Sequence, residues 1–408
     1  MTTGKRDISA LYLTLALLGA IAAPTLCADV TAPLQVSPIL QASETAQTLP
    51  TPPTQPESGP GGTDYVHGAV MEHSYDVGDK QYWIFEPNEP HPKSAPVVIF
   101  NHGWGGMKPD SYRAWINHIV RRGNIVIYPR YQATAKSPTT EITPNSLAAT
   151  KAALRRLETE AGHTRPMLDK VAAVGHSAGG QITANLAASA AKENLPQPKA
   201  IMCVQPGKSW GPVTRIAIPL FDLKGIPANT LLLTVVGDQD NIARDIDAKR
   251  IFLESVNVPS ANKNYVELIS DDHGSPPLKA NHFAPTAFLP GNAPSQRQPQ
   301  TQQPARGSVL RGAMSKRLQE RLAQRTQANR STQADQPEQP GRASLTGGLK
   351  RLDALDFYGT WKLFDALCDA AFYQRNREYA LGATPQQQFM GYWSDGVPVK
   401  PMIVIDHM

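Results

Sequence analysis

Two hydrophobic patterns alternate along this chain, and the alternation restricts the fold more than any other feature. Short, continuous apolar runs rich in β-branched residues occur at Pro96–Phe100, Asn124–Tyr128, Val171–Val174, Ala200–Val204, Leu231–Val236 and Tyr265–Ile269, with a further strand candidate at Gln81–Phe85. Segments with helical spacing stand between them. Tyr112–Arg122 places Trp115, Ile116, Ile119 and Val120 on one side and stops at Gly123, and Leu147–Glu160, Gly180–Ala191 and Ile242–Glu254 follow. A run that is apolar at every position belongs to a strand covered on both faces. Parallel strands need crossovers of helical length between them. The pattern therefore predicts an α/β fold: a mostly parallel central sheet with helices on both faces.

Composition marks what lies outside that sheet. The chain has 408 residues, 36 of them proline, and the prolines gather in two stretches. Residues 29–63 are rich in Pro, Thr, Ser, Gln and Gly and read as a disordered leader, so the globular core is expected over 64–290. Residues 291–348 are Gln, Pro, Arg, Ser and Ala with almost no aromatics, and read as a low-complexity insert. Within it Ala313–Arg330 has the spacing of a basic helix but too little apolar surface to fold alone. Core-like sequence returns around Leu355, Trp361, Phe364 and Leu367. Residues 349–408 are thus expected to complete the same domain with a final helix. The net charge is +5. Much of the excess is arginine in the insert rather than a basic face with interleaved aromatics, which argues against nucleic-acid binding.

The first residues read as an address. Lys5 and Arg6 precede an uncharged run from Ile8 to Ala28, and small residues follow its leucines. That layout predicts a signal peptide over 1–28 and a secreted or periplasmic protein. An uncleaved membrane anchor is the lesser reading, and only that reading puts the chain against a membrane. The three cysteines lack metal-ligand spacing. Cys203 and Cys368 are read either as a disulfide or as two buried thiols.

The chemistry centres on Gly175-His176-Ser177-Ala178-Gly179, directly after the Val171–Val174 strand and before a helix. A Gly-x-Ser-x-Gly element in that context is a nucleophile elbow: a serine on a sharp turn, with free N–H groups of the helix start aimed at developing negative charge. The bland alternative is a glycine-rich structural turn. Together with Asn101-His102-Gly103-Trp104-Gly105-Gly106, Gly237-Asp238-Gln239-Asp240 and Asp272-His273-Gly274, the motif resembles the α/β-hydrolase superfamily of serine esterases. Within it the chain is similar to the branch holding cutinase-like polyester hydrolases, chlorophyllase-like and dienelactone-hydrolase-like esterases. The resemblance covers roughly Tyr82–His282 and the helix around Trp361. It specifies the superfamily better than the branch.

A serine hydroxyl is too weakly acidic to attack an ester unaided, and needs a base that is itself oriented by a carboxylate. The resemblance implies the chain order serine, acid, histidine. Asp240 is the expected acid, with Asp238 as the alternative; both are also placed to cap the next helix. Counting from the Tyr265–Ile269 strand favours His273 as the base. His282, in Asn281-His282-Phe283-Ala284-Pro285, resembles the histidine segment of polyester hydrolases and is the rival. His102, His163 and His176 are poorer candidates by chain order. The backbone N–H groups of Ala178 and Trp104 are the expected oxyanion donors. Arg130 and Tyr131 follow a strand at the cleft side and are read as surface packing. The implied reaction is ester hydrolysis through an acyl-enzyme, with neither metal nor organic cofactor. Substrates are small-molecule or polymeric esters, and the sequence is silent on oligomeric state. An amidase or peptidase of the same fold, and a non-catalytic binding protein on the same scaffold, are the competing readings.

Overall fold

The computed structural model describes residues 49–209, 217–287 and 351–408. The expected signal segment, Cys27 and the insert with its basic stretch lie outside the described residues. Among the described residues, nine strands form one sheet in the order β1-β2-β4-β3-β5-β6-β7-β8-β9. In chain order they are β1 (Ala69–Tyr75), β2 (Tyr82–Asn88), β3 (Ser94–Asn101), β4 (Ile125–Pro129), β5 (Arg165–His176), β6 (Ala200–Val204), β7 (Leu231–Gly237), β8 (Lys263–Leu268) and β9 (Ile403–Ile405). The six strands β3 to β8 pair in parallel, while β1, β2 and β9 run antiparallel to their neighbours. This is the predicted α/β class, with antiparallel strands at both edges.

The alternation of side chains along each strand separates two cores. Val98 and Phe100 of β3 point into one, with Trp115, Ile116 and Ile119 of α1 (Arg113–Arg121) and Leu363 and Phe364 of the late helix α5 (Lys362–Tyr373). Val97 and Ile99 point into the other, with Leu154 and Leu157 of α2 (Thr139–Thr159) and Leu186 of α3 (Ala178–Ser189). A further helix, α4 (Ile246–Glu254), covers β7 and β8 through Ile251 and Phe252. Each fully buried Ile or Phe contributes roughly 1.5–3 kcal/mol by leaving water. The sheet is thus clad on both faces, as uninterrupted apolar strands require.

Both ends of the described chain pack on this body. The segment after the insert enters through a π-helical stretch, Leu355–Trp361, and runs straight into α5. Trp361 and Phe364 are buried in the first core, and β9 pairs with β8, so this segment completes the sheet rather than forming a second one. Residues 49–63, expected as leader, are packed instead. Pro50 accepts from Ser275 N–H, Gly61 N–H donates to the buried Asp365 carboxylate at 2.8 Å, and Asp365 also binds His118 and Arg122. Gly61 lies so close that an added Cβ would stand 2.2 Å from the Phe357 carbonyl. The ordered body therefore starts before residue 64. Cys203 and Cys368 are both buried free thiols and form no bridge, and burial pushes the Cys203 thiol up to about 12. No helix among the described residues is long and apolar enough to cross a membrane.

Candidate active site

β5 ends at His176 and α3 begins at Ala178, which leaves Ser177 alone at the junction. Its φ of 55° and ψ of −123° are strained for a residue with a side chain. Such strain persists only where the surroundings enforce it. Here the Ser177 N–H donates to Val204 O at 3.0 Å, and its carbonyl accepts from Gly180 and Gly207 at 2.8 and 3.0 Å. The flanking glycines permit the close approach. A Cβ on Gly175 would stand 2.0 Å from Gly179 O, and one on Gly179 would stand 2.0 Å from Asn101 O. The glycines of the motif are therefore needed to bring β3, β5 and α3 together at the serine.

His282 reaches this serine. Its Nε2 lies 2.9 Å from Ser177 Oγ, and its Nδ1–H donates to Asp240 Oδ2 at 2.8 Å. With Nδ1 donating to a carboxylate, Nε2 is left to accept from the serine hydroxyl. Asp240 follows the end of β7 and is 5% exposed. Its second oxygen accepts the N–H groups of Ile242 and Ala243, both at 2.9 Å. Burial alone would push this carboxyl up. The hydrogen bond and charge of His282, with the two backbone donors, outweigh burial and hold it below the usual carboxylate range.

His273, the expected base, is elsewhere, and this corrects the count from the strand end. Its Nε2 pairs with Asp395 at 2.7 Å in a half-exposed contact against Trp393. The reason is a detour in the chain. After β8, Asp271 and Leu278 pair with each other, so the residues between them form a closed excursion that makes no progress toward Ser177. Asp271 accepts from Trp393 Nε1 and Lys400 N, and a Cβ on Gly274 would press 2.5 Å from the Trp393 ring. The Asp272-His273-Gly274 motif thus belongs to the docking of the C-terminal segment. Asp238, the alternative acid, is also displaced: its carboxylate accepts from the Ser270 N–H and hydroxyl at 3.0 and 2.5 Å.

Three strand ends hold the His282 segment in place. An added Cβ on Gly237 would stand 2.0 Å from Ala280 O, so only glycine lets the returning chain cross the end of β7. Gln239 N–H donates to Ala280 O, and Gln205 Nε2 donates to Asn281 O at 2.8 Å. His176 Nε2–H donates to the carbonyl of His282 itself at 2.7 Å. That bond fixes the tautomer of His176, whose Nδ1 accepts from the Tyr112 hydroxyl at 2.8 Å; Tyr112 in turn accepts Gly103 N–H at 2.8 Å. Burial, then the neighbouring His282, lowers the His176 imidazole to about 3, so it stays neutral. Sequence reading missed His176, Tyr112, Gln205 and Gly237 as supports. The pairing of an invisible backbone carbonyl with a motif histidine leaves no mark in residue spacing.

The loop after β3 lies against the serine. A Cβ on Gly103 would be 3.4 Å from Ser177 Cβ. The N–H groups of Gly103, Gly105 and Gly106 are taken by Tyr112 Oη, Gln132 Oε1 and Gly103 O, whereas no bond among the described residues uses that of Trp104. Ala178 is the first residue of α3, so its N–H has no carbonyl of that helix to meet. The Trp104 side chain packs on a small apolar cluster of Tyr131, Ile142, Ala178, Ile182 and Ile218. Tyr131, read as surface, is fully buried: its ring stacks on His102 at 3.9 Å and its hydroxyl donates to His102 O. Arg130 packs at the surface with Gln81 and Ala133.

Sheet order, the strained serine at a strand-to-helix turn and the histidine–aspartate pair beside it define an α/β-hydrolase fold. Residues 98–231 match the model of a family described as alpha/beta hydrolase fold. No curated protein matches the sequence significantly. Among solved structures the chain is similar to a fungal esterase from Rhizomucor miehei, at 13% identity and a TM-score of 0.40, over 50% of this chain and 76% of that one. A likeness at that level carries no information on substrate.

Proposed function

We propose that this protein is a serine hydrolase of carboxylic esters, with Ser177 as nucleophile, His282 as general base and acid, and Asp240 as the carboxylate that orients it. The observation that carries the proposal is the pair of contacts made by one imidazole, 2.9 Å to Ser177 Oγ and 2.8 Å to Asp240. In the attack, the Ser177 oxygen bonds to the ester carbonyl carbon as its proton passes to His282 Nε2. Asp240 stays ionised and stabilises the imidazolium. The Ala178 and Trp104 N–H groups receive the carbonyl oxygen as it becomes an oxyanion. The tetrahedral adduct collapses by returning the proton to the departing alcohol. Water then repeats the sequence on the acyl-enzyme, releasing the acid and restoring Ser177. The apolar cluster carrying Trp104 borders this site and suits an apolar portion of the ester. No step requires a metal or an organic cofactor. The N-terminal layout makes a secreted or periplasmic location part of the same proposal.

A fluorophosphonate probe tests the nucleophile, and a panel of p-nitrophenyl esters beside peptide anilides tests the substrate class. Labelling at Ser177 with ester turnover supports the proposal. Faster anilide cleavage would make it an amidase, and no labelling would return it to a binding protein.

A further inference from the structure

We propose that His73, Glu86 and His163 form a binding site for a divalent cation of the zinc class, at the opposite end of β5 from Ser177. Glu86 lies on β2 and is 0% exposed. A buried carboxylate is stable only with a compensating charge or a full set of hydrogen bonds. One Glu86 oxygen accepts the Thr164 N–H at 2.6 Å. The other faces two imidazoles: His163 Nδ1 at 2.6 Å and His73 Nε2 at 3.8 Å. The nearby Arg156 is engaged with the Tyr82 hydroxyl, Glu160 and the face of Tyr75.

The frame is rigid. In the β1–β2 register His73 pairs with Ile84 and Glu86 with Met71, which makes His73 and Glu86 diagonal neighbours on one face of the sheet. His163 is delivered by the short connection between α2 and β5. The three donor atoms lie within 4.8 Å of one another. Two donors on a tetrahedral ion with bonds of 2.0–2.1 Å stand about 3.3 Å apart, and the measured separations of 2.6 and 3.8 Å fall on either side of that.

Two further features point to a ligand. His73 Nε2 is shielded from solvent and has no hydrogen-bond partner. The far nitrogen of His163 lies 3.0 Å from the Tyr75 hydroxyl. A metal-bound His163 would donate Nε2–H to that oxygen, the outer partner that liganding histidines ordinarily have. The cation displaces the proton shared by His163 and Glu86, which moves to Nε2 as the tautomer changes. Two imidazoles and one carboxylate suit zinc, whose remaining ligand at a site with three protein donors is ordinarily a water. Because the site ties an edge strand to the start of β5, its effect is on stability and not on the reaction.

The test is zinc titration of the full, untagged chain, followed by calorimetry and thermal melting, with cobalt(II) as a spectroscopic substitute. Binding of one zinc with a Kd of about 1 μM or tighter, a raised Tm reversed by chelator, and the visible bands of tetrahedral cobalt are the expected results. His73→Ala and Glu86→Gln should each weaken binding by at least ~10-fold, as should Tyr75→Phe to a smaller extent, while His273→Ala leaves it unchanged. Metal-free His73→Ala should melt with the metal-free parent, which shows that it folds. Absence of zinc binding by the parent chain, or binding that survives both substitutions, overturns the proposal.

Discussion

His176 donates a hydrogen bond from Nε2 to the backbone carbonyl of His282, 2.7 Å away, although 106 residues separate them in the chain. The residue before the proposed nucleophile thereby holds the backbone of the proposed base. Removing the bond leaves every reacting group present but loosens the placement of the imidazole. A shift of about 1 Å in such a group costs up to ~100-fold in rate. His176→Phe is expected to lower kcat by about 10- to 100-fold with little change in KM. Steady-state kinetics on a p-nitrophenyl ester read the split, and an unchanged kcat would deny His176 this role.

The two histidines of the 273–282 region should separate cleanly. Ser177→Ala and His282→Ala are each expected to reduce kcat by about 10⁴- to 10⁶-fold. Asp240→Asn should reduce it by about 10²- to 10⁴-fold, since it disturbs the tautomer of His282 rather than removing the base. His273→Ala breaks a half-exposed pair with Asp395 and should leave kcat within about 3-fold. Activity lost in His273→Ala and kept in His282→Ala would reverse the assignment.

Gly237 and Gly274 predict opposite outcomes for the same substitution. A Cβ at Gly237 meets the Ala280 carbonyl at 2.0 Å, directly upstream of His282. Gly237→Ala is therefore expected to lose at least ~10-fold in kcat. A Cβ at Gly274 meets Pro50 O and the Trp393 ring, away from Ser177. Gly274→Ala should cost about 1–3 kcal/mol of stability by overpacking, with kcat retained in the folded fraction. Denaturant melts and kinetics on both variants distinguish the two.

Acid should destabilise the fold through two buried histidines. Burial lowers His102 to about 4 and His176 to about 3. The unfolded chain binds a proton at each of them below about pH 6.5, while the folded protein does not until its own lower value is reached. Stability is therefore full above about pH 6.5 and falls as pH drops toward 4, by about 1.4 kcal/mol per pH unit for each group. Denaturant midpoints between pH 7 and 4 measure the slope. His176→Phe should be less steep, and equal slopes would exclude His176 as a contributor.

The order of strands and helices was readable from periodicity because each element needs a covered face, and that need leaves a pattern in consecutive residues. Gly175–Gly179 was readable for the same reason: a serine at a strand-to-helix turn demands small neighbours within a few positions. Asp240 lies three residues beyond the glycine that ends β7, so its place is local as well. The choice between His273 and His282 was not local. It depends on the Asp271–Leu278 excursion, on Trp393 and Lys400 arriving from beyond the insert to bind Asp271, and on Gly237 leaving room for the chain to cross. The packed segment 49–63 was hidden likewise, because its proline- and glycine-rich composition says nothing of the carboxylate of Asp365 that receives it. Sequence by itself determined the layers and the place of Ser177 at a strand-to-helix turn, where the physics is short-range. Only the tertiary structure decided which histidine meets Ser177, because that rests on hydrogen bonds and close contacts between residues more than a hundred positions apart.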